Sequence, residues 1–326
     1  MPPMDETTRL LTKIATLYYR NGLTQEQVAE RLGISRQSIG RHLKRAQELG
    51  IVEIKIHSPL SLSAELEYRL EKTFHLHEVI VVQPPADTDE SIKEALGEAG
   101  AAFLERRVKN GDIIGVTWSS TVLQCAMHLG KVGARKVTVV QMNGSLDRSA
   151  YSTRAEYIVD RIAEAFGGKA VALAAPLMVD RSDIIASLLS DSRIAAALAL
   201  ARKANVALFG VGDVSEQSSL FKTGYLDRQM LRKLRMGTHG AVGDICGRFY
   251  DAQGRVCASE FDERTLAIEL EKLKSKELSV AVAGGLHKVE AILGMLRGRY
   301  CNVLITDAET ANGLLEQQTP LLDDRR

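Results

Sequence analysis

The chain has 326 residues, with 42 lysines and arginines against 41 aspartates and glutamates; the formal net charge is +1, with 45% of residues apolar and 25% charged. Such a length exceeds the usual single domain and such a composition is ordinary for a globular protein, so two or more packed domains are expected, and a protein that simply coats nucleic acid with positive charge is disfavoured. No run approaches the roughly 18 apolar residues of a membrane span, and the start MPPMDETTRL lacks the apolar stretch of a secretion leader, so a cytoplasmic protein without a membrane partner is expected. Cys125, Cys246, Cys257 and Cys301 are scattered, with no CxxC pair and no histidine at ligand spacing, so neither disulfides nor a metal site is indicated, and nothing calls for a cofactor.

Leu10 to Arg20 reads as a helix with Leu11, Ile14, Leu17 and Tyr18 on one face. Gln25 to Gln47 (QEQVAERLGISRQSIGRHLKRAQ) then reads as two short helices around a Gly turn, the layout of a helix-turn-helix. Thr24 is placed to cap the first helix with Gln27 as reciprocal partner, and Val28, Ala29 and Leu32 supply its inward face. Gly33 suits the positive φ of the turn, Ser35 caps the second helix, and Ile34, Ile39 and Leu43 return it to the first. The charged residues from Arg31 to Gln47 are Arg31, Arg36, Arg41, Lys44 and Arg45, with no acid among them. Double-stranded DNA is the expected partner, with Arg36 and Gln37 assigned to base edges and Arg41, Lys44 and Arg45 mainly to the backbone. Thr24, Gln25, Ser35 and Ser38 complete the expected contact set. The plainer alternative is a solvated basic helix in a small bundle.

Ile51 to Ile56 (IVEIKI) alternates like a short strand, Ser58-Pro59 punctuates, and Leu60 to Phe74 reads as an amphipathic connector with Leu62, Leu66 and Leu70 four apart. The expected division is therefore a DNA-binding domain over 1–57, a connecting helix over 58–76 and an effector-binding and oligomerisation domain over 77–326. From Glu78 onward, β-branched runs alternate with helical segments: EVIVV (Glu78 to Val82), DIIGV (Asp112 to Val116), KVTVVQM (Lys136 to Met142), KAVALAA (Lys169 to Ala175), NVALFGVG (Asn205 to Gly212), LSVAVAGG (Leu278 to Gly285) and NVLITD (Asn302 to Asp307). Strands apolar on both faces and separated by helices predict an α/β fold with a mainly parallel, doubly covered sheet. Asp244 to Cys257, with its D-A-Q-G turn, predicts a hairpin inserted into that sheet.

In open α/β sheets ligands sit beyond the carboxyl ends of the strands, near helix N-termini. The loops there are Thr117-Trp118-Ser119-Ser120-Thr121, then Asn143-Gly144-Ser145, then Gly210-Val211-Gly212-Asp213, then Gly284-Gly285-Leu286-His287-Lys288. Singly, these read as a helix cap, tight turns and a surface lysine. Jointly they describe a pocket lined by amides and hydroxyls with one cation, suited to a sugar, polyol or sugar phosphate.

These segments carry a resemblance to the SorC family of bacterial sugar-responsive transcriptional regulators that runs almost end to end. It rests on LYYRNGLTQEQVAERLGISRQSIGRHLKRAQELGIV (Leu17 to Val52), GVTWSSTV (Gly115 to Val122), VALFGVG (Val206 to Gly212), GAVGDICGRFYDAQG (Gly240 to Gly254), AGGLHKVEAI (Ala283 to Ile292) and NVLITD. The resemblance implies an N-terminal helix-turn-helix domain, a C-terminal domain related in fold to sugar-phosphate isomerases and deaminases, and a homotetramer that regulates a carbohydrate operon. Residue by residue, it implies an effector pocket using Gly115 to Thr121, Asp244 and Lys288. Two departures stand out. Phosphate-gripping relatives commonly carry a Gly-rich or Thr-rich loop where this chain has Trp118-Ser119-Ser120-Thr121. The third of these strands ends in Gln141-Met142-Asn143 without the lysine that some relatives use covalently, so no Schiff base is expected there. Gln141, Asn143 and Asp244 suit a polyhydroxylated ligand, phosphorylated or not. The alternative from another class is a retained isomerase or deaminase activity, using Asp213, Asp244 or Asp251 as base with His239 or His287; no catalytic residue is assigned on that reading.

Overall fold

The computed structural model describes residues 6–53, 61–133, 135–145, 147–148, 151–152, 154–236 and 239–318, and its contacts divide the chain into two compact units, Met1–Ser61 and Leu62–Arg326.

In the first unit α1 (Glu6–Ala15) runs into a π-helical turn (Thr16–Arg20), followed by α2 (Gln25–Leu32) and α3 (Arg36–Glu48). The predicted inward faces meet: Ile14, Leu17, Val28, Ala29, Ile39 and Leu43 form one buried cluster. Both bonds of the capping box are made, Gln27 N–H donating to Thr24 Oγ1 at 3.2 Å and Thr24 N–H to Gln27 Oε1 at 2.9 Å. Gly33 ends α2 at φ 69°, a left-handed conformation that a Cβ would oppose, and Ser35 caps α3 by accepting from Ser38 N–H at 3.2 Å. The strand expected over Ile51 to Ile56 is not formed in its described part. Ile51 and Val52 instead donate their N–H groups to Ala46 O at 2.9 and 3.1 Å, closing the end of α3, so those donors are unavailable to a ladder. Residues 54–56, and Ser58 and Pro59, lie outside the described residues.

The second unit starts with α4 (Ser61–Phe74), the expected connector. Of its leucine stripe, Leu66 and Leu70 are buried in the core of this unit, whereas Leu62 is 63% exposed. Glu67 and Glu71 accept the N–H groups of Val81 and Val79 at 2.9 and 3.0 Å. Those valines lie on β1, an edge strand, so the two carboxylates satisfy donors that a neighbouring strand would otherwise take. The connector is thus part of this unit.

The chain continues through β1 (Glu78–Val82), α5 (Asp89–Arg107), β2 (Ile113–Val116), α6 (Ser120–His128), β3 (Thr138–Gln141), the two-residue strands β4 (Asp147–Arg148) and β5 (Tyr151–Ser152), α7 (Ala155–Ala165), β6 (Lys169–Val171), α8 (Ser182–Ser190), α9 (Ser192–Lys203) and β7 (Val206–Phe209). Then come β8 (Gly212–Asp213), α10 (Ser219–Lys222), α11 (Arg228–Arg235), β9 (Ala241–Ile245), β10 (Arg248–Asp251), α12 (Ser259–Asp262), β11 (Leu278–Val282), α13 (Val289–Arg297), β12 (Val303–Asp307) and α14 (Ala308–Gln318). Short 3₁₀ turns lie at Leu270–Ser275 and Leu286–Lys288.

Among the described residues the main sheet has seven parallel strands in the order β1-β12-β11-β7-β2-β3-β6. Every residue of β7, β11 and β12 is buried, as apolar runs covered on both faces require. One buried cluster includes residues of α4, α9, α13 and α14, the other residues of α5, α6 and α7. The Asp244 hairpin forms, but not within this sheet. β9 and β10 join β8 in a separate antiparallel sheet, and the reversal occurs at Cys246-Gly247, both at positive φ. The D-A-Q-G turn makes the next reversal, where Tyr250 bridges Val256.

The order of strands defines a switch point. From β2 the chain moves outward through β3 and β6; from the adjacent β7 it moves the other way through β11 and β12. Loops leaving β2 and β7 therefore diverge, and a crevice opens between them at the carboxyl edge.

Candidate functional site

That crevice is a cavity of about 880 Å³, at the upper end of the range for small-molecule sites. Thr117, Trp118, Ser119, Ser120, Thr121, Asn143, Gly210, Gly212, Asp244 and Lys288, all named from sequence, line it together. The β2 and β7 loops are stitched at their base by Thr117 N–H donating to Leu208 O at 3.1 Å. Ser119 also caps α6, accepting from Val122 N–H at 3.0 Å, so the cap reading and the cavity reading both hold for it. Trp118 Nε1 donates to Gly144 O at 2.7 Å, which ties the β2 loop to the end of β3.

Four of the sequence candidates do not line the cavity. Gly115 lies within β2, where an added Cβ would come 2.7 Å from Met142 Sδ. Gln141 is 1% exposed and its amide is fully engaged: Nε2 donates to Asn143 O and Ser145 Oγ, and Oε1 accepts from Leu173 N–H. Gly284 and Gly285 shape their loop instead, the Gly285 N–H donating to Asp307 Oδ2 and Thr310 Oγ1, both at 2.8 Å. These four serve the walls rather than the ligand space.

Asp244 is held beside Gly212, its pairing partner across β8 and β9, and Oδ2 accepts from Gly247 N–H at 3.0 Å. A side chain at 212 would collide with this carboxylate, because an added Cβ falls 2.0 Å from Oδ1. Burial pushes the Asp244 carboxyl from 3.8 up to about 6; Asp213 adds to the rise, while the Gly247 N–H and Lys288 oppose it. Burial also pulls the Lys288 ammonium below the ordinary lysine value, against the pull of Asp213, Asp89 and Asp244.

Sequence reasoning missed Asp89 and Lys93 at the start of α5, Ser215, Ser218 and Ser219 after β8, Lys222, Arg235 and Glu290. Asp89 and Lys93 form an ion pair at i, i+4, which in sequence looks like an ordinary helix surface pair. The serines extend the Gly210 to Asp213 loop and were legible as a hydroxyl-rich continuation. Of the alternative catalytic groups, Asp213 and His287 line the cavity, but Asp251 and His239 do not. Asp251 accepts from the N–H groups of Gln253 and Arg255 and from Arg255 Nε, with His239 at 3.5 Å, so it holds a turn. Among the described residues no cluster of His, Cys, Asp or Glu could hold a metal ion, and no single helix is long and apolar enough to cross a membrane.

On α3, Gln37, Arg41 and Lys44 recur at i, i+4 and i+7 and are exposed, opposite the buried Ile39, Leu43 and Ala46. Arg36 is exposed in the first turn. Arg45 is exposed but paired with Glu48 at 3.1 Å, just past the acid-free stretch. Ser35 and Ser38 bond each other through their hydroxyls at 2.9 Å, and Thr24 is occupied by its cap, while Gln25 is half-buried with its Oε1 near Gly40.

A sugar-binding domain family (Sugar-bind) matches residues 58–316, and a MarR-family model matches residues 14–59. The deoxyribonucleoside regulator of Bacillus subtilis is 37% identical over 310 residues, 95% of this chain and 98% of that protein. The sorbitol operon regulator of Klebsiella pneumoniae is 32% identical over 320 residues, covering 96% and 99%. The crystal structure of that full-length regulator, SorC, aligns with a TM-score of 0.70 at 32% identity over 95% of this chain and 99% of that one. These relatives are named regulators rather than enzymes, which removes support from the isomerase or deaminase alternative. With a helix-turn-helix at its front and a sugar-binding α/β domain behind, the chain belongs to the SorC family of sugar-binding transcriptional regulators.

Proposed function

We propose that this regulator controls an operon for carbohydrate or polyol catabolism, and that its effector is a sugar, polyol or sugar phosphate held in the switch-point cavity. The observation that carries this reading is the composition of that cavity: hydroxyls of Thr117 to Thr121 on one side and the Asp244–Asp213–Lys288 charge cluster on the other, around a space of small-ligand size. The names of its relatives, a deoxyribonucleoside regulator and a sorbitol operon regulator, agree with a ligand of this class. Polyhydroxylated ligands need many short-range donors and acceptors, and phosphorylated ones need a cation in addition; both needs are met here.

In this reading Arg36 and Gln37 meet base edges, Arg41 and Lys44 meet phosphates, and the protein acts as a homotetramer whose paired reading heads fit operator half-sites about one helical turn, or a multiple, apart. Effector binding changes operator affinity only if the ligand prefers one arrangement of the assembly over another. A thermal-shift screen of the full chain against sugars, polyols and their phosphates tests the effector assignment, since a ligand of the folded state raises the melting temperature. A hit whose shift survives in Lys288→Ala without loss of affinity would place the anion elsewhere; the expected result is a loss of about tenfold or more for a phosphorylated ligand, with operator binding of the free protein unchanged.

A further inference from the structure

We propose that Gly40 is the point of closest approach between α3 and the operator, where the missing side chain lets the helix backbone sit directly against the duplex. The proposal rests on the assignment of the outer face of α3 to DNA given above. Gly40 is the fifth residue of a 13-residue helix, and glycine inside a helix is destabilising relative to alanine because it gives up more backbone freedom on folding. Neither conformation nor packing within the chain calls for it. Its backbone is helical, without the positive φ that favours glycine. Beyond its own helix, an added Cβ would meet only Gln25 Oε1 within 4 Å among the described residues, at 3.6 Å, an ordinary contact with the far end of a flexible side chain. The other glycines inside described helices are each pressed by a neighbour. An added Cβ would run into Gln124 Cβ at Gly97, and would come 2.5 Å from Cys125 Sγ at Gly100, 2.9 Å from Asp251 O at Gly294 and 3.1 Å from Val289 Cγ2 at Gly313.

The surroundings of position 40 say what it meets. Its neighbours on the helix surface at i−4, i−3 and i+4 are Arg36, Gln37 and Lys44, all exposed, and α3 carries no acid before Glu48. Long cationic and amide side chains therefore rim a recess whose floor is helix backbone, and the half-buried Gln25 borders it on the side of α2. A duplex matches that relief: its phosphates take the cations of the rim, and a sugar or base edge fills the recess between them. A side chain at 40 would lift the helix off the duplex, since a close-packed contact does not absorb an extra methyl group without strain.

The test uses the full chain, Gly40→Ala and Gly40→Leu, and a duplex selected by the wild-type protein from a random-sequence library. Gly40→Ala should slow hydrogen exchange of the α3 amides by about twofold to fivefold, because alanine is the better helix former. The same variant should bind the selected duplex about fivefold or more weakly, and Gly40→Leu more weakly still. The salt slope should not change, as no charge is removed. A Gly40→Ala protein that binds like the wild type, while Lys44→Ala binds less tightly, overturns the proposal alone. Faster exchange in Gly40→Ala does the same, since it would make the glycine a packing requirement of the unit, and so does a lowered salt slope. If neither Gly40→Ala nor Lys44→Ala affects binding, or the wild type selects no duplex, the assignment of α3 to DNA fails and takes this proposal with it.

Discussion

In the three-helix unit the polar groups that matter are turned outward on the surface of α3, with Ile39, Leu43 and Ala46 on the opposite face doing nothing but holding the helix in place. In the α/β unit the polar groups that matter are half-enclosed, and several are held in states that water would not leave them in: Asp244 with its carboxyl pushed up to about 6, Lys288 pulled down, Asn143 Oδ1 unpaired. The first arrangement reads a large, highly charged polymer, for which exposed long side chains and displaced counterions suffice. The second, on the effector reading proposed above, has to recognise a small polyhydroxylated molecule, and gains discrimination from groups whose states the ligand changes when it arrives.

Four substitutions probe this contrast, from the largest expected effect downward. Ile39→Ala removes a fully buried side chain from the small core of the reading head and should cost about 2–5 kcal/mol. Operator binding should disappear while the thermal shift produced by the effector persists; simultaneous loss of both would show that the two units do not fold separately. Arg36→Ala should weaken operator binding by about 1–3 kcal/mol and relax the preference at a single base position, read by footprinting on operator variants. A footprint and a base preference that do not change would move base reading off this residue.

Asp244→Asn addresses the enclosed charge through pH. The folded carboxyl holds its proton up to about 6, whereas an unfolded one releases it near 3.8. Stability contributed by this group is therefore complete below 3.8 and is lost as pH rises through 6. The wild type should lose stability relative to Asp244→Asn across that window, measured by urea titration at each pH, and parallel curves would show that Asp244 is not buried in solution. Lys44→Ala, the mildest, should weaken binding to all duplexes alike and lower the salt slope by about one.

Much of the reading head was legible residue by residue. The Thr24–Gln27 box, the Gly33 turn and the Ser35 cap are each set by neighbours within four positions, and each formed as the spacing predicted. Where local reading went astray, a nearby group had claimed the backbone first: Ile51 and Val52 gave their N–H groups to Ala46 O. The α/β unit was legible in its strands, whose apolar runs require burial on both faces. Its cavity was legible only in part. Loops following strands could be named, but whether a named side chain faced ligand space or a wall depended on residues far away in sequence, as Gln141 shows by its bond with Leu173. Asp89, Lys93 and Arg235 carried no local mark because nothing within a helical turn distinguishes a charge over a cavity from a charge over solvent.

Composition, periodicity and capping thus determined the class of the protein, the existence of its two units, the helix that carries the positive charge and the edge of the sheet where a ligand would sit, because all of these follow from interactions short in sequence. The order of the strands decided the rest. By setting β2 against β7, with the loops after each diverging, it chose which hydroxyls and charges share one cavity, while the separate β8–β9 pairing placed Asp244 over Gly212.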